Sequence, residues 1–562
     1  MKKQLIECVP NFSEGRDMSI IRQITDEIES VEGVKLLDVD PGKATNRTVV
    51  TFVGEPEPVI EAAYLAIKKA SEVIDMSKHK GEHPRMGATD VCPLIPIANI
   101  SMEEVAEYAH RLAEHIGQEL EIPLYMYEAA ATKKEWRNLA TIRAGEYEAL
   151  PEKLTKPEWK PDYGPAKFNP RSGATAIGAR GFLIAYNVNL NTTSVRRANS
   201  VAFDVREQGR VKRKGNPITG KIIKDKHGNP LRIPGKCKAV KGIGWFIEEY
   251  GIAQISMNLT DINVSPLHKV FEECCKSAQK RGLRVTGSEL VGLVPLQVML
   301  DTGRYFLEKQ RRSVGISESE IIKIAVKSLG LDELGKFDPQ KKIIEYRLED
   351  SNANPLLKMS LGDFADETAS ESMAPGGGSI AAYVAALGVS LATMVANLSA
   401  HKRGWDDKWD IYSKHADEGQ KLKAALLKLV DEDTHSFNAI INAFRLPKGT
   451  AAEKTARHEA IQAATRYAIE VPFQVMKIAL QSFDLILAMA KTGNPNSITD
   501  AGVGALCARA AVHGAFMNVK VNAADLEDKK FVNKILREGK RLAAKADKLE
   551  KEVRKIVEKK ID

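Results

Sequence analysis

A ten-residue stretch, residues 78–87, places two histidines among charged residues and glycines in the sequence KHKGEHPRMG. It lies between a predicted helix and a predicted strand, and catalytic groups are often placed on such loops. Histidine titrates near neutral pH, so both are candidates for proton transfer, and Pro84 restrains His83 towards an extended backbone that would fix its imidazole. His79, Glu82 and His83 could also suggest zinc, but the glycine and the proline disfavour a helical His-x-x-x-His pair, and no metal is predicted.

An aspartate falls within the apolar side of a helix predicted after residue 413. Helical spacing places five large apolar side chains on one face: Leu426, Val430, Phe437, Ile440 and Phe444. Asp433 lies in that stripe, whereas Asp431, about 200° round the helix, is predicted to face water. A carboxylate in apolar surroundings has a raised pKa and is a candidate for acid–base catalysis. An aspartate satisfied by a hydroxyl or by a helix terminus would explain the same pattern.

Three glycines, Gly376, Gly377 and Gly378, open another predicted helix in the sequence APGGGS. Backbone N–H groups at a helix start can hold an anion or the polar edge of a ligand. The stretch lacks the Lys-Ser/Thr ending of a phosphate-binding loop and the spacing of a dinucleotide fingerprint. Ligand contact and a purely structural helix start therefore both stay open.

Strands and helices alternate in the first half of the chain. Between residues 4 and 120 the predicted order is β-α-β-β-α-β, and the same order returns between residues 182 and 294. This is the split βαβ pattern, so we expect two α+β subdomains, at 1–180 and 181–327. The Pro- and Gly-rich stretch that joins them, residues 157–180, is predicted to be an ordered surface loop.

The last part of the chain is predicted to be helical throughout. Residues 328–355 form a connector, and residues 356–562 show helical periodicity without a convincing strand. The predicted fold class is therefore α+β followed by all-α: two split-βαβ-like α+β subdomains and then a C-terminal helical bundle. Residues 376–400 are uncharged and long enough to cross a bilayer, but their many small residues favour a buried helix, and no membrane segment is predicted.

A basic segment lies within the second subdomain. Residues 206–241 carry twelve Lys or Arg and two acids, and the turn His227-Gly228-Asn229 predicts a hairpin. A solvated insertion, a guide for an anionic substrate and a nucleic-acid contact are the alternatives for its role. The net charge of +8 on 562 residues is too small to indicate a nucleic-acid-binding protein.

The composition is that of an ordinary globular protein, with 43% hydrophobic and 28% charged residues. It excludes a wholly disordered chain, a collagen-like chain and a disulfide scaffold. The six cysteines include no CxxC pair, and the first residues have no apolar signal core. We therefore expect a reducing, cytoplasmic location.

Long strings in both halves resemble the formimidoyltransferase-cyclodeaminase family of folate enzymes. The first half contributes IECVPNFSEG (6–15), TNRTVVTFVG (45–54), DMSKHKGEHPRMGATDVCP (75–93) and IRAGEYEALP (142–151). The helical part contributes MAPGGGS (373–379), LVDED (429–433), FNAIINAFRLPK (437–448) and GAFMNVKVN (514–522). The resemblance extends over nearly the whole chain.

The resemblance implies two activities. The α+β half would transfer the formimino group from N-formimino-L-glutamate to tetrahydrofolate, and the bundle would convert 5-formiminotetrahydrofolate to 5,10-methenyltetrahydrofolate and ammonia. Tetrahydrofolate, with or without a polyglutamate tail, is the implied co-substrate, and no metal, nucleic acid or membrane is implied as a partner. A homo-oligomer formed through the bundle is implied. The alternatives are transfer from N-formylglutamate and a folate-binding protein with only one active half.

The resemblance also implies roles for particular residues. His83 matches the catalytic base of the transferase, and Asp433 matches the catalytic residue of the cyclodeaminase. Asp40 and Glu82 are hypotheses for orienting the imidazole, and Arg85 is a third supporting residue. Folate contacts are expected from a loop and from the glycine-rich helix start: Gly164, Pro165, Ala166, Lys167, Phe168, Asn169, Pro170, Arg171, Ser172, Gly173, Gly376, Gly377 and Gly378.

Two features depart from the family pattern. Residues 211–236 look like an insertion relative to the animal members, and Ser172 stands where an aromatic residue can occur. These departures leave the preferred donor and the assembly state open more than they affect the chemistry.

Overall fold

The computed structural model describes residues 4–43, 45–81, 84–216, 219–348 and 355–561. The chain divides into two compact units. The first comprises Met1–Thr302 and Val326–Leu348, and the second comprises Gly303–Ala325 and Glu349–Asp562. The segment Gly303–Ala325 thus belongs to the same unit as the C-terminal helices, although part of the first unit follows it in sequence. The subdomain boundaries predicted from the sequence stay predictions.

A seven-stranded mixed sheet forms the first part of the first unit. Its strands are β1 (Leu5–Cys8), β2 (Asn11–Phe12), β3 (Val34–Gly42), β4 (Arg47–Gly54), β5 (Thr89–Ala98), β6 (Leu124–Glu128) and β7 (Thr175–Ala179). Strands β1 and β2 both pair antiparallel with β4 and β5, and β3 pairs antiparallel with β4. Strand β7 lies between β5 and β6 and is parallel to both.

Three amphipathic helices cover one face of this sheet: α1 (Met18–Glu29), α2 (Pro56–Val73) and α3 (Met102–Glu119). Alternate strand residues such as Phe52 and Leu94 are buried against the apolar sides of these helices. A capping box between Ser101 and Glu104 begins α3. Two short helices, α4 (Leu139–Ile142) and α5 (Leu150–Lys153), follow β6.

Strand β7 corrects one prediction. The stretch 157–180 was expected to be a loop throughout, but its residues Thr175–Ala179 are all buried and pair with strands on both sides. The sequence TAIGA is short and rich in small residues, so it has little strand propensity of its own. Its two neighbours impose the extended conformation.

Antiparallel strands follow in the rest of the first unit. They are β8 (Ile184–Leu190), β9 (Arg210–Val211), β10 (Arg232–Ile233), β11 (Val240–Ile247), β12 (Ile252–Leu259) and β13 (Val285–Val291). The long strands form a sheet in the order β11-β12-β8-β13, against which α6 (Val195–Val205) and α7 (Leu267–Gln279) pack. Strands β9 and β10 pair at the base of the basic segment, and the Asp225 N–H donates to the Asn229 carbonyl at 2.8 Å. The predicted hairpin is confirmed.

Four helices connect this sheet to the bundle in sequence: α8 (Leu296–Lys309), α9 (Glu318–Leu329), α10 (Pro339–Lys342) and α11 (Ile344–Leu348). The bundle consists of α12 (Leu361–Ala369), α13 (Gly377–Ala400), α14 (Trp409–Arg445), α15 (Ala451–Thr492), α16 (Ile498–Asn522) and α17 (Lys529–Ile561). Helix α13 packs against α14, α15 and α16. A Cβ added to Gly388 would lie 2.9 Å from the Gly504 carbonyl, so small residues permit a close crossing of α13 and α16. The predicted fold class is confirmed.

Two bundle helices are long and apolar enough to cross a membrane, Gly377–Ala400 and Ala451–Thr492. In each, 61% of the most apolar 18-residue window is buried inside the structure. Length and composition alone are weak evidence for a membrane span, and core helices of helical bundles share both properties. The buried alanines of α13 belong to the same core cluster as apolar residues of its neighbours.

Candidate active sites

The histidine-containing stretch 76–88 pairs at both ends with the predicted folate loop. At its start, the Met76 N–H donates to the Arg171 carbonyl at 3.0 Å. At its end, the Ala88 N–H donates to the Ser172 carbonyl at 2.8 Å. Backbone hydrogen bonds therefore hold the two stretches side by side, although 83 or more residues separate the partners in sequence.

The folate loop is held by hydrogen bonds within the loop and by a ring contact with one neighbouring segment. The Asn169 side-chain oxygen accepts from the N–H groups of Arg171 at 3.1 Å and Ser172 at 3.0 Å. The Phe168 ring packs against the Tyr147 ring, with centroids 5.4 Å apart. Ser172, which stands where an aromatic can occur, is buried. Four other loop residues are exposed to solvent, where they can contact a ligand: Gly164, Ala166, Lys167 and Pro170.

His79 is fixed by hydrogen bonds at both ring nitrogens. Its Nε2 lies 2.9 Å from the Asn46 carbonyl, and the Arg85 Nε–H donates to its Nδ1 at 3.3 Å. Because an arginine can only donate and a carbonyl can only accept, these contacts match the tautomer with its proton on Nε2. Both ring nitrogens of His79 thus have protein partners, and His83 stays the predicted base of this loop. Glu82 and His83 lie outside the described residues.

Arg85 is the centre of a charged network beside His79. Its guanidinium forms a bidentate ion pair with Glu148, at 2.9 and 2.7 Å, and also donates to Glu146 at 3.1 Å. The bond to Arg85 lowers the pKa of the Glu148 carboxyl. Arg85 was predicted from the sequence, but its two glutamate partners, which alternate in the matched string IRAGEYEALP, were not. This network ties the histidine loop to that string.

A second ion pair anchors the same loop from inside the protein. Asp90 is fully buried, accepts a hydrogen bond from the Met86 N–H at 3.1 Å and pairs with Arg143. Arg47 lies near this pair, and burial lowers the pKa of its guanidinium to about 10. None of these three residues was predicted from the sequence. Each lies in a matched string, but only the fold shows that they are close together.

Two carboxyl groups lie on the seven-stranded sheet, and the sequence predicted a role for only one of them. Asp40 is half-buried on β3, opposite Val49, and its proposed contact with His83 lies outside the described residues. Glu7, on β1, was not predicted to have a role. It is only 2% exposed, and burial raises the pKa of its carboxyl to about 7, partly offset by Arg180. A carboxyl titrating near neutrality in this half is a candidate for proton exchange.

Asp433 lies against the glycine-rich start of α13. Its Oδ2 accepts from the Ser379 backbone N–H at 2.9 Å, and the Ser379 hydroxyl lies 3.2 Å away. Gly378 is so close that a Cβ added there would meet Oδ1 first and would lie 2.5 Å from Oδ2. Burial raises the pKa of the Asp433 carboxyl, although the bonds to Ser379 oppose the shift. Among the described residues no donor reaches Oδ1, so this oxygen is available to a substrate.

The helix start that receives this carboxylate is also open. The atom nearest to a Cβ added at Gly376 is 3.9 Å away, and at Gly377 it is Asn518 Nδ2, at 3.4 Å. The first N–H groups of a helix have no partner within the helix. A polar ligand edge could therefore bind beside Asp433, so the two predicted features of the bundle come together at one place.

The apolar stripe that led to Asp433 is confirmed only at its start, because Leu426 and Val430 are fully buried but its later members are not. Asp431, predicted to face water, is 1% exposed and accepts a hydrogen bond from the Leu356 N–H at 2.9 Å. Phe437 and Phe444, predicted to be buried, are 37% and 53% exposed. The turn at residues 356–358 packs on the side of α14 that was expected to face solvent. The sequence pattern of one helix carries no sign of that turn.

A charged network beside a histidine loop in one unit and a buried carboxylate at a helix start in the other define an enzyme with two separate polar sites. Three family models match the chain. The formiminotransferase domain, N-terminal subdomain, covers residues 5–180, the formiminotransferase domain covers 185–349, and formiminotransferase-cyclodeaminase covers 360–541. The chain belongs to the formimidoyltransferase-cyclodeaminase family.

Relatives match the whole chain or one of its halves. Formimidoyltransferase-cyclodeaminase of Mus musculus is 44% identical over 549 residues, which is 96% of this chain and 98% of the mouse protein. Glutamate formimidoyltransferase of Streptococcus pyogenes serotype M1 is 41% identical over 54% of this chain and 94% of its own length. Methenyltetrahydrofolate cyclohydrolase of Methylorubrum extorquens is 35% identical over 35% of this chain and 96% of its own length.

Proposed function

We propose that this chain is a bifunctional folate enzyme of histidine degradation. It transfers the formimino group of N-formimino-L-glutamate to tetrahydrofolate and then converts 5-formiminotetrahydrofolate to 5,10-methenyltetrahydrofolate and ammonia. The observation that carries the proposal is the 44% identity to the mouse formimidoyltransferase-cyclodeaminase over 96% of this chain. The presence of a candidate residue for each step, His83 and Asp433, supports two active halves.

In the transferase step, N5 of tetrahydrofolate loses a proton and the glutamate nitrogen gains one. A histidine that titrates near neutral pH can accept the first proton and deliver the second. We assign that role to His83, with Asp40 and Glu82 orienting its ring. The Arg85 network supports the assignment because it holds the loop beside His83, where Arg85 pairs with Glu148 and also contacts His79.

The folate co-substrate of this step is assigned to the loop 164–173. Its backbone bonds to stretch 76–88 support a shared site for histidine and folate. The preferred donor is N-formimino-L-glutamate, and N-formylglutamate is the competing donor. The two are distinguished by whether ammonia follows transfer, because a formyl group carries no nitrogen to release.

In the cyclodeaminase step, N10 attacks the formimino carbon, and the imino nitrogen leaves as ammonia. The proton lost by N10 must reach the departing nitrogen. We assign its transfer to Asp433, whose raised pKa suits a carboxyl that takes up and returns a proton. The backbone N–H groups of Gly376, Gly377 and Gly378 would hold the polar edge of the folate. The resemblance to a methenyltetrahydrofolate cyclohydrolase over this half supports a ligand of the same class.

The finer assignments are a cytoplasmic location and a homo-oligomer formed through the bundle. All six cysteines are free thiols, which suits a reducing compartment.

An apolar surface on α13 and α16 supports self-association, and its residues are 45–72% exposed: Leu387, Val503, Leu506, Met517 and Val521. The double variant Val503→Glu/Leu506→Glu should dissociate the oligomer in sedimentation experiments. A wild-type protein that sediments as a monomer would contradict the assignment.

The proposed function is tested with the full-length protein, N-formimino-L-glutamate and tetrahydrofolate. Methenyltetrahydrofolate absorbance and ammonia are followed together, and we expect them to rise in equal amounts. Asp433→Asn should instead accumulate 5-formiminotetrahydrofolate. Faster transfer from N-formylglutamate, without ammonia, would favour the competing donor. Methenyltetrahydrofolate formation from neither donor would contradict the function.

A further inference from the structure

A cleft of about 500 Å³ lies in the second unit, away from Asp433. It is lined by α13 from Ser390 onwards and by His401 directly after that helix. Gln420 and Lys423 of α14 and the residues Arg312 and Ile316 complete the lining. Ser390 follows Gly378 by twelve helical residues, which corresponds to roughly 18 Å along α13. The cleft is therefore distinct from the glycine-rich helix start and has no role in the proposed chemistry.

The wall formed by residues 312–316 is held rigidly against the helices. The Gly315 carbonyl accepts from the Asn397 side chain at 2.8 Å and from the Gln420 side chain at 3.0 Å. A Cβ added at Gly315 would lie 2.5 Å from the backbone N of Asp417, so the segment lies directly on α14. A cleft whose walls are fixed in this way needs little rearrangement to accept a ligand.

Arg312 and Lys423 supply positive charge to the cleft. Neither Arg312 nor Lys423 forms an ion pair with any acid in the described part of the chain. Burial lowers the pKa of the Lys423 ammonium, and burial together with Arg312 lowers the pKa of His401. His401 Nε2 faces the Ser313 N–H, at 3.5 Å, so its imidazole is an acceptor there. Arg312 is exposed, whereas Lys423 is half-buried. A half-buried ammonium without a partner is costly, and an anion bound beside Lys423 would offset that cost.

Most of the remaining lining surface is apolar, although Ser390, Thr393, Asn397 and Gln420 also line the cleft. Ile316, Met394 and Leu398 line the cleft, and Met394 and Leu398 are 39% and 45% exposed to solvent. The cleft thus presents hydrocarbon and unpaired positive charge together. A flat or chain-like apolar body with one acidic group satisfies both, whereas an inorganic anion or an uncharged hydrocarbon satisfies only one.

We propose that this cleft is a second ligand site that binds an amphipathic organic anion. The apolar body of the ligand packs on Ile316, Met394 and Leu398, and its carboxylate, sulfonate or phosphate group pairs with Arg312 and Lys423. This proposal is independent of the two active sites, because none of these residues belongs to either of them.

The test uses two fluorescent probes of nearly the same shape on the full-length protein. The anion 8-anilinonaphthalene-1-sulfonate carries a sulfonate that uncharged N-phenyl-1-naphthylamine lacks. The double variant Arg312→Gln/Lys423→Gln should weaken binding of the anion at least tenfold and change binding of the uncharged probe less than twofold. Lys428→Gln is the matched control, because Lys428 is exposed on α14, outside the cleft. It should change neither affinity by twofold.

Three results would overturn the proposal. They are unchanged affinity of the double variant for the anionic probe, equal weakening of both probes, and equal weakening by Lys428→Gln. Thermal midpoints of all variants are measured first. Single Lys423→Gln and Arg312→Gln proteins provide the same comparison if the double variant is less stable than the wild type.

Discussion

Gly378→Ala should stop the cyclodeaminase step and leave the bundle folded. A Cβ at residue 378 would lie 2.5 Å from Asp433 Oδ2 and closer still to Oδ1, whereas ordinary contact begins at 3.4 Å. The carboxylate would have to move by at least about 1 Å, and a displacement of that size at a reacting group can cost roughly 100-fold in rate. The move would also stretch the hydrogen bond from the Ser379 N–H, which is 2.9 Å long. We therefore expect about 1% of the wild-type rate.

The assay supplies 5-formiminotetrahydrofolate to the full-length protein and measures ammonia and methenyltetrahydrofolate. Gly514→Ala is the matched control, because its added Cβ would meet Ala381 Cβ at an ordinary 3.5 Å. Both variants replace a helical glycine by alanine, which favours the helix by about 0.5–1 kcal/mol. The control should stay within twofold of the wild-type rate, and both proteins should keep the wild-type thermal midpoint within a few degrees. Wild-type cyclisation by Gly378→Ala would refute the assignment of Asp433 as the reacting carboxylate.

His83→Ala should abolish formimino transfer and leave cyclisation of supplied 5-formiminotetrahydrofolate intact; a normal transfer rate would remove His83 from the role of base. Asp431→Ala should lower the free energy of unfolding by about 2 kcal/mol in urea titrations, because it leaves the buried Leu356 N–H without its acceptor. A change below about 0.5 kcal/mol would restore the water-facing assignment of Asp431. Burial raises the Glu7 pKa from 4.5 to about 7, so wild-type stability should fall as pH rises from about 5 to 7.5, by up to roughly 3 kcal/mol. Glu7→Gln should flatten that fall in unfolding midpoints measured at both pH values, and an unchanged slope would contradict the buried, protonated state. Deleting residues 211–236 should raise KM for polyglutamylated folate more than for the monoglutamate at low salt, and equal effects would indicate a merely solvated insertion.

Long-period patterns were sufficient to predict the helices of the bundle. Helix α15 shows why, since its start is encoded locally by Thr450 and Glu453, which form a capping box, and its length by sustained apolar periodicity. Strand β7 shows the opposite case. Its five residues carry almost no local signal, and the strand exists because β5 and β6 hydrogen-bond to it from either side. Structure imposed by distant neighbours cannot be inferred from a short window of sequence.

The same limit applies to the candidate sites. Asp433 and the three glycines were each singled out, but the bond between Asp433 and Ser379 joins residues 54 apart, and no spacing rule predicts it. Arg85 was selected without its partners Glu146 and Glu148, which follow 61 and 63 residues later. Residue type indicates which groups can do chemistry, whereas the fold decides which of them are fixed and which stay free.

The chain passes between the two compact units three times, because Gly303–Ala325 belongs to one and Val326–Leu348 to the other. No single cut can therefore separate the halves without damage to both. In a fragment that ends near residue 327, Gly315 would lack its hydrogen-bond partners Asn397 and Gln420. The fragment would also lack most of the segment Val326–Leu348. Expression of either half alone calls for a design that keeps each segment with its own unit, for example by rejoining residue 302 to residue 326 through a short linker.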